Sequence, residues 1–149
     1  MTTKQLGNIG EANTIAEFVR MQVPVYLAFG DNEKSDLIAD FNGKLQRVQV
    51  KTSEKVIDGK ITISLASSTI HRKNGTRHIY TKDEVDYFAL YNLESNILIL
   101  VPYSEIGGQT AITFKVEYKS SNNQHKALNW KDFTFEKIIS VETLHETFF

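Results

Sequence analysis

Residues 35–53 read SDLIADFNGKLQRVQVKTS, two alternating runs on either side of Asn42-Gly43. Few local signals restrict a chain more. A type I′ hairpin turn needs positive φ at both central residues, and Asn-Gly tolerates this best. The turn sets the register: Phe41 faces Lys44, Asp40 faces Leu45, Ile38 faces Arg47 and Asp36 faces Gln49. Alternation places Leu37, Ala39, Phe41, Val48 and Val50 on a core face. The other face carries Asp36, Ile38, Asp40, Leu45, Arg47, Gln49 and Lys51.

Opposed residues on such a pair have β-carbons about 5 Å apart. Asp36 and Gln49 thus bring side-chain oxygens together, with Lys51 pointing the same way. A hard divalent cation such as Mg²⁺ takes oxygen ligands and keeps several waters. It can polarise a phosphate and activate water there, and a lysine beside it can hold or help deprotonate that water. A half-solvated structural hairpin shows the same alternation, so both readings stand at this point.

The remaining chain supplies a frame. Thr3 to Met21 reads as a helix, with Ile9, Ala12, Ile15, Ala16 and Val19 at helical spacing. Thr2 or Thr3 can cap it, and Pro24 stops it. VPVYLAF, KITISLA, VDYFALYN, NILILV and TAITFKVEY read as strands, VDYFALYN and NILILV as neighbouring central ones. The tail from Trp130 reads as helical turns. No repeat or linker divides the 149 residues. One domain over residues 1–149 is expected, of α/β class, with a mixed central sheet flanked by helices.

Composition removes several chemistries. The absence of cysteine excludes disulfides, thiolate nucleophiles and Cys-based zinc sites. Apolar runs are too short to span a bilayer, and MTTKQLGNIGEA lacks a signal-peptide pattern. No membrane partner and a cytoplasmic location are expected. The net charge of −1 names no partner, but Gly59 to Lys82 holds no acid. That segment carries Lys60, Arg72, Lys73, Arg77 and Lys82, with His71 and His78. Such asymmetry suits a phosphate-facing loop, although a solvated loop shows it too. A turn at Asn74-Gly75 would make a two-stranded ribbon of major-groove width. LAGLIDADG, GIY-YIG, HNH, Walker A and Rossmann patterns are absent.

A helix with a glutamate, an acid on a strand, and a polar residue-x-Lys on the next strand together resemble the PD-(D/E)XK nuclease core. GEANTIAEF resembles its first helix, with Glu11. SDLIAD resembles the acid strand, with Asp36, and VQVKTS the next, with Gln49 and Lys51. DYFALYN and ILILVP resemble the later core strands. The chain is most similar to the homing endonucleases of group I introns, those of cyanobacteria above all. The resemblance covers most of the chain, and the order of elements is more specific than the short motif. There are two departures: Ser35 stands where the family name has proline, and Gln49 replaces a carboxylate. The second leaves the site one negative charge short and gives Glu11 more weight.

The resemblance implies a restriction endonuclease-like fold. It implies a site-specific DNA endonuclease making a metal-dependent double-strand break by phosphodiester hydrolysis, with 5′-phosphate and 3′-hydroxyl products. Mg²⁺ is the implied cofactor, with Mn²⁺ as a substitute. Asp36, the Gln49 oxygen and the Val50 carbonyl would hold the metal, and Glu11 would complete the site directly or through water. Lys51 would position the nucleophile. Double-stranded DNA is the partner, with Lys44, Arg47, Lys60, Arg72, Lys73, Arg77 and His78 as its contacts. One site per chain implies a homo-oligomer, at least a dimer, and the related enzymes imply a tetramer. Such an enzyme would work in the cytoplasm on nucleoid DNA. The alternatives are a Holliday-junction resolvase, a restriction-type nuclease, or a catalytically silent DNA-binding protein.

Overall fold

The structure, a computed structural model, describes residues 1–30, 36–67, 78–117 and 128–148, and only the backbone of 143–148. The chain opens with α1 (Thr3–Arg20). Thr2 caps it: the Thr2 hydroxyl accepts from the Gln5 N–H at 3.1 Å, and the Gln5 carboxamide accepts from the Thr2 N–H at 2.8 Å. This reciprocal capping box satisfies two otherwise orphaned donors.

The buried face of α1 differs from the apolar stripe expected from spacing. Gly10, Thr14 and Phe18 are buried, while Ala12, Ala16 and Val19 are exposed and Ile9 and Ile15 half-buried. The cause is close approach. A Cβ at Gly10 would run into Thr52 Oγ1, so the missing side chain lets α1 lie directly on the sheet. Thr14 tolerates burial because its hydroxyl donates to the Gly10 carbonyl at 2.8 Å.

Strands β1 (Val25–Leu27), β2 (Leu37–Phe41), β3 (Lys44–Ser53), β5 (Tyr87–Asn92) and β6 (Ile97–Pro102) form one sheet in the order β1-β2-β3-β5-β6. The Asn-Gly turn behaves as its chemistry requires, with φ of 56° at Asn42 and 96° at Gly43. Its register pairs Ile38 with Arg47, Asp40 with Leu45 and Phe41 with Lys44. The Asp40 carboxylate accepts from the Gly43 N–H at 2.6 Å and holds the turn. β3 runs parallel to β5, and every other pair in this sheet is antiparallel.

This five-stranded sheet is the mixed central sheet expected from the sequence; two of the expected strands lie outside it. β4 (Lys60–Ser64) and β7 (Ala111–Lys115) pair with each other in a separate two-stranded sheet. Their sequences explain it. Each alternates exposed and buried residues, whereas β5 is buried along its whole length. A strand with one apolar face suits an outer layer; a strand buried on both faces suits the centre. Ile61, Ile63, Ile112 and Phe114 accordingly cover the face bearing Phe88, Leu90 and Ile99. The opposite face, with Val48, Val50, Ala89 and Leu100, packs against Phe18 of α1 and Phe135 and Ile139 of α3 (Phe135–Phe148). β6 is outermost in pairing order rather than central, yet both clusters bury it. A short helix, α2 (Tyr103–Ile106), follows β6, and a 3₁₀ turn at Trp130–Phe133 precedes α3. No helix among the described residues is long and apolar enough to cross a membrane.

Candidate active site

β2 ends against β3 at Val48, whose carbonyl accepts from the Asp36 N–H at 3.1 Å. β3 continues to Ser53, paired there with β5. Beyond the end of the β2 pairing, Asp36 lies against the edge of β3 at Val48 and Val50. Asp36 Oδ2 accepts from Gln49 Nε2 and from the Val50 N–H, each at 2.9 Å. Along an extended strand a residue's N–H and C=O point to the same side. The Val50 carbonyl therefore points to the side of β3 on which Asp36 lies.

α1 meets β3 here. Its contact through Gly10 and Thr52 carries the next residue, Glu11, close enough to Asp36 to be repelled by it. Lys51 supplies the opposing charge, attracting the Asp36 carboxylate. Lys51 Nζ donates to the Ala66 carbonyl at 3.0 Å and lies 5.1 Å from the centre of the Tyr80 ring. Glu11, Asp36, Gln49, Val50 and Lys51 thus converge from α1, the start of β2 and β3.

Both carboxyls are held above their ordinary range. For Asp36 burial is the main cause, opposed by the Val50 N–H and by Lys51. For Glu11 burial again leads, followed by the Asp36 charge. Two like charges in a desolvated corner make a place where a cation lowers the energy. The donors are hard oxygens, which fits a divalent ion that keeps waters. No group of three or more acidic or histidine side chains with metal-holding geometry occurs among the described residues. A divalent ion held here would need an amide or backbone oxygen beside the two carboxylates. For the Gln49 oxygen to join Asp36 on one ion, its amide must turn over and release Asp36. The Val50 N–H bond can stay.

The raised carboxyls give a pH-dependent expectation. A folded value above the unfolded one means that ionisation opposes folding above the raised value. The penalty fades as pH falls through that value and is gone below the unfolded value, near pH 4. Glu11→Gln in chelator is therefore expected to melt higher than wild type at pH 8, with the two curves converging near pH 4. Added Mg²⁺ should stabilise wild type more than the variant. Calorimetry over pH tests this, and a lower melting temperature for metal-free Glu11→Gln at pH 8 would refute it.

Arg47 and His78, expected on DNA, are engaged within the protein. Arg47 Nε and its backbone N–H both donate to Asp86 Oδ2, at 3.0 and 2.8 Å, and an Nη donates to Asp86 Oδ1 at 2.9 Å. Its guanidinium also reaches the carbonyls of Lys82 and Asp83. The fork shape of guanidinium suits this carboxylate, and Asp86, next to β5, is held below the usual range chiefly by the Arg47 hydrogen bonds working against burial. His78 Nε2 pairs with Glu84 Oε1 at 2.7 Å. Lys44 and Lys60 are exposed, but Lys44 lies about 23 Å along β3 from Lys51 at ~3.3 Å per residue. Arg72, Lys73 and Arg77 lie outside the described residues. Glu17 pairs with Arg20 on the surface of α1. Thr52, Ala66 and Tyr80 escape a sequence reading because nothing in their spacing links them to Asp36.

A profile of the PD-(D/E)XK endonuclease family matches residues 1–136. The chain belongs to that family. PD-(D/E)XK endonucleases are DNA-cleaving hydrolases that generally use divalent metal ions. Among solved structures, the bacterial homing endonuclease I-Ssp6803I superposes with a TM-score of 0.75 over 99% of this chain and 97% of that one, at 18% identity. At that identity the likeness establishes the shared fold. No curated protein matches the sequence.

Proposed function

We propose that the protein is an intron-type homing endonuclease that makes a double-strand break in DNA, with Mg²⁺ as its ion and Mn²⁺ as a substitute. The observation that carries this is the desolvated pair Glu11 and Asp36 beside Lys51, where α1, the start of β2 and the end of β3 meet. Asp36, the Val50 carbonyl and a turned Gln49 amide would hold the ion, with Glu11 completing the site directly or through water. When bound, the ion polarises the scissile phosphate and acidifies water. Lys51 orients the nucleophile and offers positive charge where the phosphate gains negative charge. Lys44, Arg47, Lys60, Arg72, Lys73, Arg77 and His78 are the proposed DNA contacts, and the cytoplasm, on nucleoid DNA, the proposed place of action. Cleavage mapping on an intronless copy of the host gene, with Mg²⁺ or chelator, tests the reading. A specific, Mg²⁺-dependent break is expected. Preference for branched DNA would favour a resolvase, and binding without nicking would identify a silent binder.

Both strands must be cut, and one chain carries one such site, so the proposed enzyme is a homo-oligomer, at least a dimer and, from the resemblance, a tetramer. We assign the contact to the β1 edge. Tyr26, Leu27 and Phe29 are 56%, 64% and 98% exposed, beside Val19 at 61%. β1 is an edge strand of the sheet, and an exposed apolar edge is a template for pairing with another chain. The adjoining groove of about 460 Å³, between Ile15, Val19, Val23, Val25 and Leu27, has no charged side chain among the described residues. It therefore suits an apolar protein surface better than phosphate. Leu27→Glu with Phe29→Asp is expected to sediment as a smaller species and to nick rather than break the duplex. Unchanged mass by sedimentation would sink the assignment.

A further inference from the structure

Lys51 is held by groups that no motif contains. Lys51 Nζ donates to the Ala66 carbonyl at 3.0 Å and stands 5.1 Å from the centre of the Tyr80 ring, within the ~6 Å over which an ammonium is attracted to an aromatic face. The ring is itself fixed. Tyr80 is 8% exposed. It meets Phe88 edge-on, with centroids 6.2 Å apart, and His78 edge-on at 5.3 Å. Phe88 sits opposite Gln49 in the parallel pair, so the ring is anchored to the strand beside the catalytic one.

The Ala66 carbonyl and the Tyr80 ring are also linked to each other. Ser67, next to Ala66, donates its N–H to the His78 carbonyl at 2.9 Å, and the His78 N–H donates to Ser67 Oγ at 3.0 Å. The His78 ring is held in turn by Glu84 at 2.7 Å. The carbonyl and the aromatic face therefore keep a fixed separation, and both attract positive charge. A lysine stem is flexible, with four carbons between backbone and charge. Two attractive contacts from different directions confine its tip.

We propose that Tyr80 is a positioning residue for Lys51: its ring face, with the Ala66 carbonyl, sets where the ammonium stands relative to Asp36. The proposal rests on the reading of Lys51 as the lysine of the cleavage site. A tyrosine that merely filled the core would serve through its volume. A positioning ring serves through the negative charge of its face, and the two are separable.

The experiment replaces Tyr80 with phenylalanine and then with mono-, di- and trifluorophenylalanine. Fluorine drains the ring face while changing shape little. Single-turnover cleavage at saturating duplex and Mg²⁺ is expected to fall stepwise, by roughly 3- to 30-fold over the series. Duplex affinity and melting temperature should stay level. A second readout needs no activity: in metal-free protein the Lys51 ε-methylene protons should be shifted upfield by the ring and should return toward free-chain values in Tyr80→Leu. A flat cleavage series, with Lys51→Ala inactive in the same assay, overturns the role of Tyr80 alone. Retained cleavage in Lys51→Ala overturns the reading of Lys51 and this proposal with it. Free-chain Lys51 shifts in wild type also overturn it.

Discussion

Asp36→Asn is expected to abolish cleavage while duplex affinity stays close to wild type. The carboxylate lies against the edge of β3, where Oδ2 takes hydrogen bonds from Gln49 Nε2 and the Val50 N–H. An asparagine oxygen can keep the Val50 bond, so the fold should survive. What disappears is the formal negative charge between Glu11 and Lys51, and with it the driving force for a cation. A fall on the order of 10³-fold in single-turnover rate is expected, comparable to removing one preorganised charge-stabilising group. Lys51→Ala should show a loss of the same size, because only chemistry is touched. Gln49→Glu discriminates further. A carboxylate in that position cannot donate to Asp36, so the metal-free protein should lose stability. Once the ion is present a stronger ligand should preserve cleavage. Gel-based cleavage and affinity measurements on one target settle all three. Retained cleavage in Asp36→Asn or Lys51→Ala would remove the site assignment. A loss in Gln49→Glu as large as in Lys51→Ala would mean that the amide's donor N–H is needed.

Gly10→Ala is expected to damage stability and cleavage together. In an exposed helix this change would help by about 0.5–1 kcal/mol. Here the added Cβ would meet Thr52 Oγ1, with the Thr52 Cβ and Cγ2 next nearest at 3.2 and 3.3 Å. Overpacking of this kind costs about 1–3 kcal/mol, and Thr52 cannot retreat far within a strand. The helix must lift, and Glu11, the next residue, must lift with it. Displacement of a catalytic group by about 1 Å can lower a rate roughly 10²-fold. Thr52→Ala removes the hydroxyl and the methyl that the new Cβ would meet. The double variant should therefore regain most of the stability and part of the rate, a coupling readable as a double-mutant cycle. Additive losses in the cycle would show that α1 and β3 do not touch in this way.

The local sequence determined the hairpin and everything that follows from its register. Asn42-Gly43 admits few other turns, so Asp36 opposite Gln49, with Lys51 on the same face, was legible before any contact was known. The capped first helix and the buried strands β5 and β6 were legible for the same reason: cap, period and apolar run are properties of neighbouring residues. The family resemblance rested on that same order of elements.

The tertiary structure decided what lies across those elements. The alternation of KITIS and AITFK shows one apolar face but cannot say whether its cover is a neighbouring strand or another sheet; packing made them a second layer. The stripe of α1 misled because Ile9, Ile15 and Val19 advertise apolar area. The contact that matters depends instead on the absence of a side chain at Gly10, and a missing atom has no hydrophobic signature. The protein partners of Arg47 and His78, Asp86 and Glu84, are set by folding, 39 residues and 6 residues away. Lys51 was visible as a lysine, but the Ala66 carbonyl and Tyr80 ring that hold it arrive from a different part of the chain. Spacing along a chain records which side chains share a face. It does not record which backbone or ring a fold will bring to meet them, and at this site those decide where the charge stands.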